Sequence, residues 1–188
     1  MNQSLENQLV TLIEADVWML SILDIVRDLS LADCWIGAGF VRNKVWDVLH
    51  NINRTPLNDI DIIYFDRSKA TKEQDLEIET QLKSLYPSLN WSVKNQARMH
   101  LRNGHTAYAT CKEAISYWPE TATAIAVQRS ATHDIKCLAP YGLEDLFALL
   151  VQPTPDFDIA QYQERICTKA WNITWNLLAI KTGDHKNP

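Results

Sequence analysis

Along the first segment apolar residues return at helical spacing. Leu5, Leu9, Leu12, Ile13, Leu20 and Leu23 are separated by acidic and amide residues, which predicts an amphipathic helix. A break at "DLSLAD" leads into "CWIGAGF", a short apolar stretch whose glycines end a predicted strand. "VRNKVWDVLH" then reads as a short helix with Val41, Val45, Trp46 and Leu49 on its apolar face. "NINRTPLN" has loop composition, and Pro56 biases Thr55 towards an extended backbone. From Ile60 to Phe65 every residue except Asp61 is β-branched or bulky and apolar, the pattern of a buried strand. "DRSKATKEQDLEIETQLKSLY" follows as a polar helix with Leu76, Ile78, Leu82 and Leu85 supplying its apolar side. After the Pro87 turn, "LNWSVKNQ" is a further strand.

The alternation of strand and helix over this region predicts an α/β sheet. Beyond it, "CKEAISYW" reads as a short helix, and "ATAIAVQ" and "DIKCLAP" flank "RSATH" as a hairpin. "YGLEDLFALLV" reads as a helix with Glu144 and Asp145 at its positive end. "QPTPDFD" is a loop, "IAQYQERICTKAWNITWNLLAI" is one helix or two broken ones, and the tail "KTGDHKNP" is expected to fray.

At 188 residues, 46% of them hydrophobic, the chain can bury a sizeable core without covalent staples. The seven tryptophans fit such a core better than a base-stacking platform. The formal net charge of −5 argues against a general binder of nucleic acid or acidic membrane, while leaving room for a local basic pocket. Cys34, Cys111, Cys137 and Cys167 form no CxxC and no Cys/His pair at zinc spacing. The opening "MNQSLENQLV" lacks a basic stretch followed by an apolar one, and no apolar run approaches the roughly 20 residues of a membrane span. A reduced, cytoplasmic setting is expected, with the cysteines as small buried hydrophobes.

Candidate chemistry begins at "LNDIDIIYFD". Asp59 and Asp61, two positions apart on a strand, point to the same side roughly 7 Å apart. Such a pair lies in water at an open strand end, has one acid protonated, or holds a cation between its members; Mg²⁺ suits the last case because it takes a few carboxylate oxygens with water and phosphate. A bare Asp-x-Asp is more often a turn cap next to an exposed strand residue. Upstream, Gly37 and Gly39 close a strand and open a helix, where backbone N–H groups and the positive dipole end favour phosphate. Arg42 stands where a dinucleotide fingerprint needs its third glycine, and no Gly-Lys-Ser/Thr ending makes a P-loop.

A phosphate-cradling helix start followed by a strand with paired acids has the layout of the nucleotidyltransferase superfold that includes DNA polymerase beta. "GAGFVRNKVWD", "LNDIDIIYFD", "WSVKNQARMH", "WPETATAIAV" and "APYGLEDLF" together resemble a bacterial nucleotidyltransferase-like family of about this length. The resemblance implies an α/β (α+β) fold, a mixed sheet flanked by helices over residues 1–150, with a C-terminal helical extension over 151–188 packed on the same domain. It implies that Gly37 and Gly39 contact nucleotide phosphates and that Asp59 and Asp61 hold one or two Mg²⁺ (or Mn²⁺). The expected reaction moves a nucleoside monophosphate from a nucleoside triphosphate to a hydroxyl, with pyrophosphate leaving. A small-molecule acceptor is expected ahead of a protein, and the acidic charge disfavours a large nucleic acid.

Many active members of the superfold carry a third carboxylate on a neighbouring strand. Here "WSVKNQ" offers Lys94, Asn95 and Gln96 instead. Asn95 is a candidate catalytic ligand through its carbonyl oxygen, Lys94 a candidate phosphate neutraliser, and Glu79 and Asp66 are possible substitutes for the missing acid. His100 is a candidate base. Arg42 and Asn43, following the glycines, are candidate nucleotide-binding residues. Thr121 and Thr123 face either a substrate or simply one side of a strand. The departure at the third acid leaves an alternative function, a nucleotide- and metal-binding module with a regulatory role.

Overall fold

The computed structural model describes residues 3–182. The predicted first helix is two helices, α1 (Leu5–Glu14) and α2 (Val17–Asp28). The break falls where Asp16 turns its carboxylate onto the Met19 N–H and caps a new helix start. Lys44 and Arg54 both donate to the same carboxylate, at 2.9 and 2.7 Å, so the cap also ties down two distant segments. Burial pushes the Asp16 carboxyl up, but these two cations outweigh it and hold the group down at about 2.

Next come β1 (Trp35–Gly37), α3 (Gly39–Leu49) and β2 (Ile60–Tyr64), then a 3₁₀ turn (Arg67–Lys69), α4 (Lys72–Leu85) and β3 (Trp91–Asn95). Two short helices follow, α5 (Gln96–Asn103) and α6 (Cys111–Ser116), then the expected hairpin β4 (Ala126–Arg129) and β5 (Ile135–Leu138). The strands form one mixed five-stranded sheet in the order β3-β2-β1-β4-β5. Only β2 and β3 run parallel; the remaining pairs are antiparallel.

The strand period divides the sheet into two faces. Ile36, Ile60, Ile62, Tyr64, Trp91 and Val93 belong to the main core with α1–α3 and α4. Trp35, Ile63 and Ala126 point to the other face, where Cys111, Ile115 and Trp118 cover them. Full burial of each large aliphatic contributes about 1.5–3 kcal/mol. On α4 the inward face is Ile78, Leu82 and the carboxylate of Asp75, whereas Leu76 and Leu85 are exposed. The cause is a buried polar network: Asp75 accepts from Tyr64 Oη at 2.9 Å, from the Asn95 N–H and from Arg98, which turns α4 towards β3.

The C-terminal third departs most from expectation. α7 spans only Glu144–Phe147, because Leu150–Val151 (β6) leaves the helix to pair with Ala179–Ile180 (β7). The helical run splits into α8 (Ile159–Lys169) and α9 (Trp171–Thr174) at Ala170, which takes a left-handed φ of 44°. Trp171 and Trp175 pack edge-on against Trp46 of α3, with ring centroids 5.6 and 5.2 Å away. Tyr162 of α8 donates its hydroxyl proton to the Lys181 carbonyl at 2.8 Å. The tail expected to fray lies mostly outside the described residues. No helix among those described is long and apolar enough to cross a membrane.

Candidate active site

Asp61 sits in a row that crosses the sheet. Its partner on β3 is Ser92, and its partner on β1 is Gly37, beyond which comes Ala126 of β4. The neighbouring strands therefore place a hydroxyl on one side of Asp61 and a bare backbone on the other. Among the described residues no three or more His, Cys, Asp or Glu gather into a set able to hold a metal ion. Two carboxylates remain, Asp59 and Asp61, and both line a cavity of about 330 Å³ together with Gly39, Arg42, Asn43 and Thr55. Burial, and after it the charge of Asp59, lifts the Asp61 carboxyl from its ordinary 3.8 to about 6, against weaker opposition from Ser92, Lys94 and Arg42.

The donor set fits a hard divalent cation. Mg²⁺ binds through one or two carboxylates and completes its shell with water and phosphate oxygens, so Asp61 on β2 and Asp59 on the loop before it suffice when a phosphorylated substrate is present. The raised proton affinity of Asp61 has the same origin: a carboxylate desolvated at a strand end beside Asp59 gains from added positive charge.

α3 supplies the other half of the cavity. Its first residue is Gly39 and its N-cap is Ala38, whose side chain caps nothing, so the leading N–H groups remain open to a ligand. The unusual backbone is at Ala38, with φ 53° and ψ −121°, a conformation that favours glycine and costs a side-chain-bearing residue about 1–3 kcal/mol. Gly37 does not line the cavity. A Cβ there would meet the Trp118 ring at 2.8 Å, so its lack of a side chain serves packing against Trp118, on the face to which Asp61 also points. A Cβ at Gly39 would meet only ordinary contacts, and it is Gly39 whose backbone borders the cavity.

The loop that carries Asp59 is clamped from α3. Asp47 accepts from the Thr55 N–H at 2.8 Å and from the Trp175 indole N–H at 2.9 Å, and the Asn43 amide donates to Thr55 Oγ1 at 3.3 Å. Arg42 is buried over the Trp171 ring, with its guanidinium carbon 4.3 Å from the centroid. It donates to Asn43 Oδ1 at 2.8 Å and Thr123 Oγ1 at 3.3 Å, and its Nε has no partner. Burial pulls this guanidinium down to about 10, which leaves it charged at neutral pH.

Other predicted positions lie elsewhere. Asn95 is fully buried at the far end of β3, opposite Tyr64, roughly 10 Å along the strand from the row of Asp61. Its NH₂ donates to the carbonyls of Asp66 and Lys69 at 2.7 and 3.1 Å, and its oxygen accepts from the Ala97 N–H, capping α5, and from the Asp66 N–H, so no lone pair is left for a ligand. His100 sits on α5 with its ring against Tyr108, away from the cavity. Lys94 faces Glu79 at 2.7 Å and does not line the cavity. Glu79 is thereby occupied, and Asp66 accepts from the Ser68 N–H and hydroxyl. Thr123 holds Arg42, and Thr121 donates to Asp145 at 2.5 Å, so Asp145 closes a loop contact instead of tuning a helix dipole.

Sequence reasoning missed the cavity's remaining wall. Arg165, Lys169, Trp171, Thr174 and Trp175 all come from the C-terminal helices. Their only sequence signal is spacing: Arg165 and Lys169, like Trp171 and Trp175, are four apart and share a helix face.

Asp61 on β2, Asp59 on the loop just before it and the uncapped start of α3 thus border one cavity. Residues 24–180 match the family described as nucleotidyltransferase, and the chain belongs to it. It is similar over 96% of both chains, at 34% identity and a TM-score of 0.84, to a protein whose NMR structure is described as revealing a CCA-adding enzyme head domain. A Thermotoga maritima CCA-adding enzyme complexed with tRNA shares the fold at 16% identity and a TM-score of 0.59, over 96% of this chain and 43% of that one. A CCA-adding enzyme with CTP does so at 15% identity and a TM-score of 0.61, over 96% and 44%. The chain thus spans less than half the length of these two enzymes. A comparison with curated protein sequences finds no significant match.

Proposed function

We propose that this protein transfers a nucleoside monophosphate from a nucleoside triphosphate to the hydroxyl of a small molecule, in a divalent-metal-dependent reaction. The observation that carries this reading is the convergence of Asp59, Asp61 and the open N-terminus of α3 on one cavity. Asp59 and Asp61 hold Mg²⁺ or Mn²⁺, which when bound neutralises phosphate charge and orients the attacking oxygen. The α3 N–H groups at Gly39 and beyond receive a phosphate, and Asn43 with Asp47 keeps the Asp59 loop in place through Thr55. The acceptor hydroxyl attacks the α-phosphorus, a new P–O bond forms as the bond to the β-phosphate oxygen breaks, pyrophosphate leaves with the electrons of that bond, and the hydroxyl proton passes to water. Gly37, Lys94 and Asn95 are taken up by contacts of their own, and His100, whose Nδ1 is buried without a partner, lies outside the cavity, so none of the four has a part in this reading.

A small acceptor is favoured by the net charge of −5 and by a second cavity of about 260 Å³, which shares Asn43, Thr55 and Leu57 with the first. Four free cysteines among the described residues accord with a cytoplasmic setting. The row Ser92–Asp61–Gly37, with no third acid, favours a second reading in which the protein binds nucleotide and metal to sense or regulate. Pyrophosphate release from each nucleoside triphosphate, with Mg²⁺ or Mn²⁺ and a panel of hydroxylated metabolites, separates the two. Turnover lost in both Asp59→Asn and Asp61→Asn supports transfer. Thermal stabilisation by nucleotide and metal without turnover supports the binding module, and absence of both effects removes either reading.

A further inference from the structure

The C-terminal wall of the cavity has a charge pattern that packing alone does not require. Glu120 is fully buried and accepts from Arg165 Nε at 2.5 Å. The guanidiniums of Arg165 and Arg42 both lie over the Trp171 ring, at 5.6 and 4.3 Å from it. Glu120 is thus paired with Arg165, and the other acid that acts on Arg42 is Asp61, so once a divalent cation takes up Asp59 and Asp61 the Arg42 charge is left without a counter-charge of its own. Lys169, one helical turn beyond Arg165 on α8, adds another at the rim, and it makes no ion pair among the described residues. Arg165 bonds among them through Nε and Nη2, both to Glu120, and the Arg42 Nε is buried without a partner. Desolvated cations without enough counter-charge are costly unless an anion completes the set.

Trp171 is 7% exposed and carries both guanidiniums, so its ring is not open for a nucleobase to stack upon. Its cation–π attraction instead holds two like charges side by side facing one cavity. Asp59 and Asp61 line that same cavity, and with a divalent cation bound they are neutralised. A triphosphate would still be strongly anionic after sharing that cation, and the unbalanced cations stand within the same 330 Å³ space.

We propose that Arg165 and Lys169 are the residues that bind the outer phosphates of the nucleotide, so that the C-terminal helices set the preference for triphosphate over monophosphate, and that Trp171 is a positioning residue that keeps Arg42 and Arg165 aimed into the cavity. This rests on the nucleotidyl-transfer reading of the site and adds to it the part of the nucleotide each wall recognises. Lys169 is the clean probe, since it is exposed and holds nothing else among the described residues.

The test is calorimetric titration of the full chain with ATP, AMP and inorganic tripolyphosphate in the presence of Mg²⁺, alongside pyrophosphate-release kinetics. Lys169→Ala weakens ATP and tripolyphosphate binding about tenfold, the loss of one charge-assisted phosphate contact, while AMP binding stays as in the wild type. Lys169→Arg restores the preference, and in kinetics Lys169→Ala raises KM with little change in kcat. Trp171→Phe keeps a ring beneath the guanidiniums and retains the triphosphate preference. Trp171→Leu loses it in protein that circular dichroism shows to be folded. If the wild type binds ATP and releases pyrophosphate but Lys169→Ala affects ATP and AMP alike, or neither, the assignment to Lys169 and Arg165 is overturned and the transfer reading stands. If the wild type binds neither ATP nor tripolyphosphate with Mg²⁺, both fall together.

Discussion

Asp61→Asn offers a test that needs no substrate. The folded protein holds the Asp61 carboxyl at about 6 against an ordinary 3.8, first through burial and then through Asp59. Each tenfold change in proton affinity corresponds to about 1.4 kcal/mol, so the charged form costs the fold about 3 kcal/mol. Partial exposure and solvent screening reduce that to about 2 kcal/mol. The sign follows from proton counting. Between pH 3.8 and about 6 the folded state binds more protons than the unfolded chain, so stability falls as pH rises through that window and stays low above it. Asparagine has the shape of the protonated acid and carries no charge. In a chelator-containing buffer at about pH 7.5 the variant is therefore more stable than the wild type by about 2 kcal/mol, or roughly 4–8 °C in Tm for a chain of this size. Near pH 4 the difference vanishes. Adding Mg²⁺ raises the wild-type Tm and leaves the variant almost unmoved, because the ion relieves a repulsion that the variant no longer has. Differential scanning fluorimetry across pH reads all of this. A variant less stable than the wild type at neutral pH, or a difference independent of pH, would refute the account of a strained acid pair.

Three further substitutions probe the frame around the site. Ala38→Gly relieves the left-handed backbone at the α3 N-cap and raises stability by about 1 kcal/mol in urea denaturation, whereas a loss would show that Ala38 is unstrained. Gly37→Ala drives a methyl to 2.8 Å from the Trp118 ring and costs about 1–3 kcal/mol, seen as a lower denaturation midpoint. Asn95→Ala removes the cap of α5 and the bonds to the Asp66 and Lys69 carbonyls, lowering stability by about 2–4 kcal/mol. Its KM for nucleotide in the folded protein stays at the wild-type value, and a raised KM would return Asn95 to the site.

Local pattern was enough for much of the frame. β1, β2, β3 and the β4–β5 hairpin lie in the segments whose apolar composition predicted them, because strand signals are carried by a few adjacent residues. The acid pair and the helix start after Gly39 were legible for the same reason, since Asp59, Asp61 and Gly39 are read directly from spacing. α5 was not, because "QARMHLRN" has no apolar stripe; Asn95 caps it, and the bond from Arg98 to Asp75 on α4 holds it.

What tertiary structure alone decided was which side chains the acid pair meets. Asn95 and His100 follow β3 in sequence, but a parallel β2–β3 pairing puts Ser92 beside Asp61 and carries both of them to the far end of the sheet. Arg165, Lys169 and Trp171 are distant in sequence, yet packing of Trp171 and Trp175 on Trp46 brings them to the cavity. Periodicity records which face of an element is buried, and it holds no information about which buried faces meet. The sequence by itself determined the strand, its two acids and the helix start beside them. The counter-charges that share their cavity depended on a strand register and an aromatic contact more than a hundred residues apart, which only the folded chain brings together.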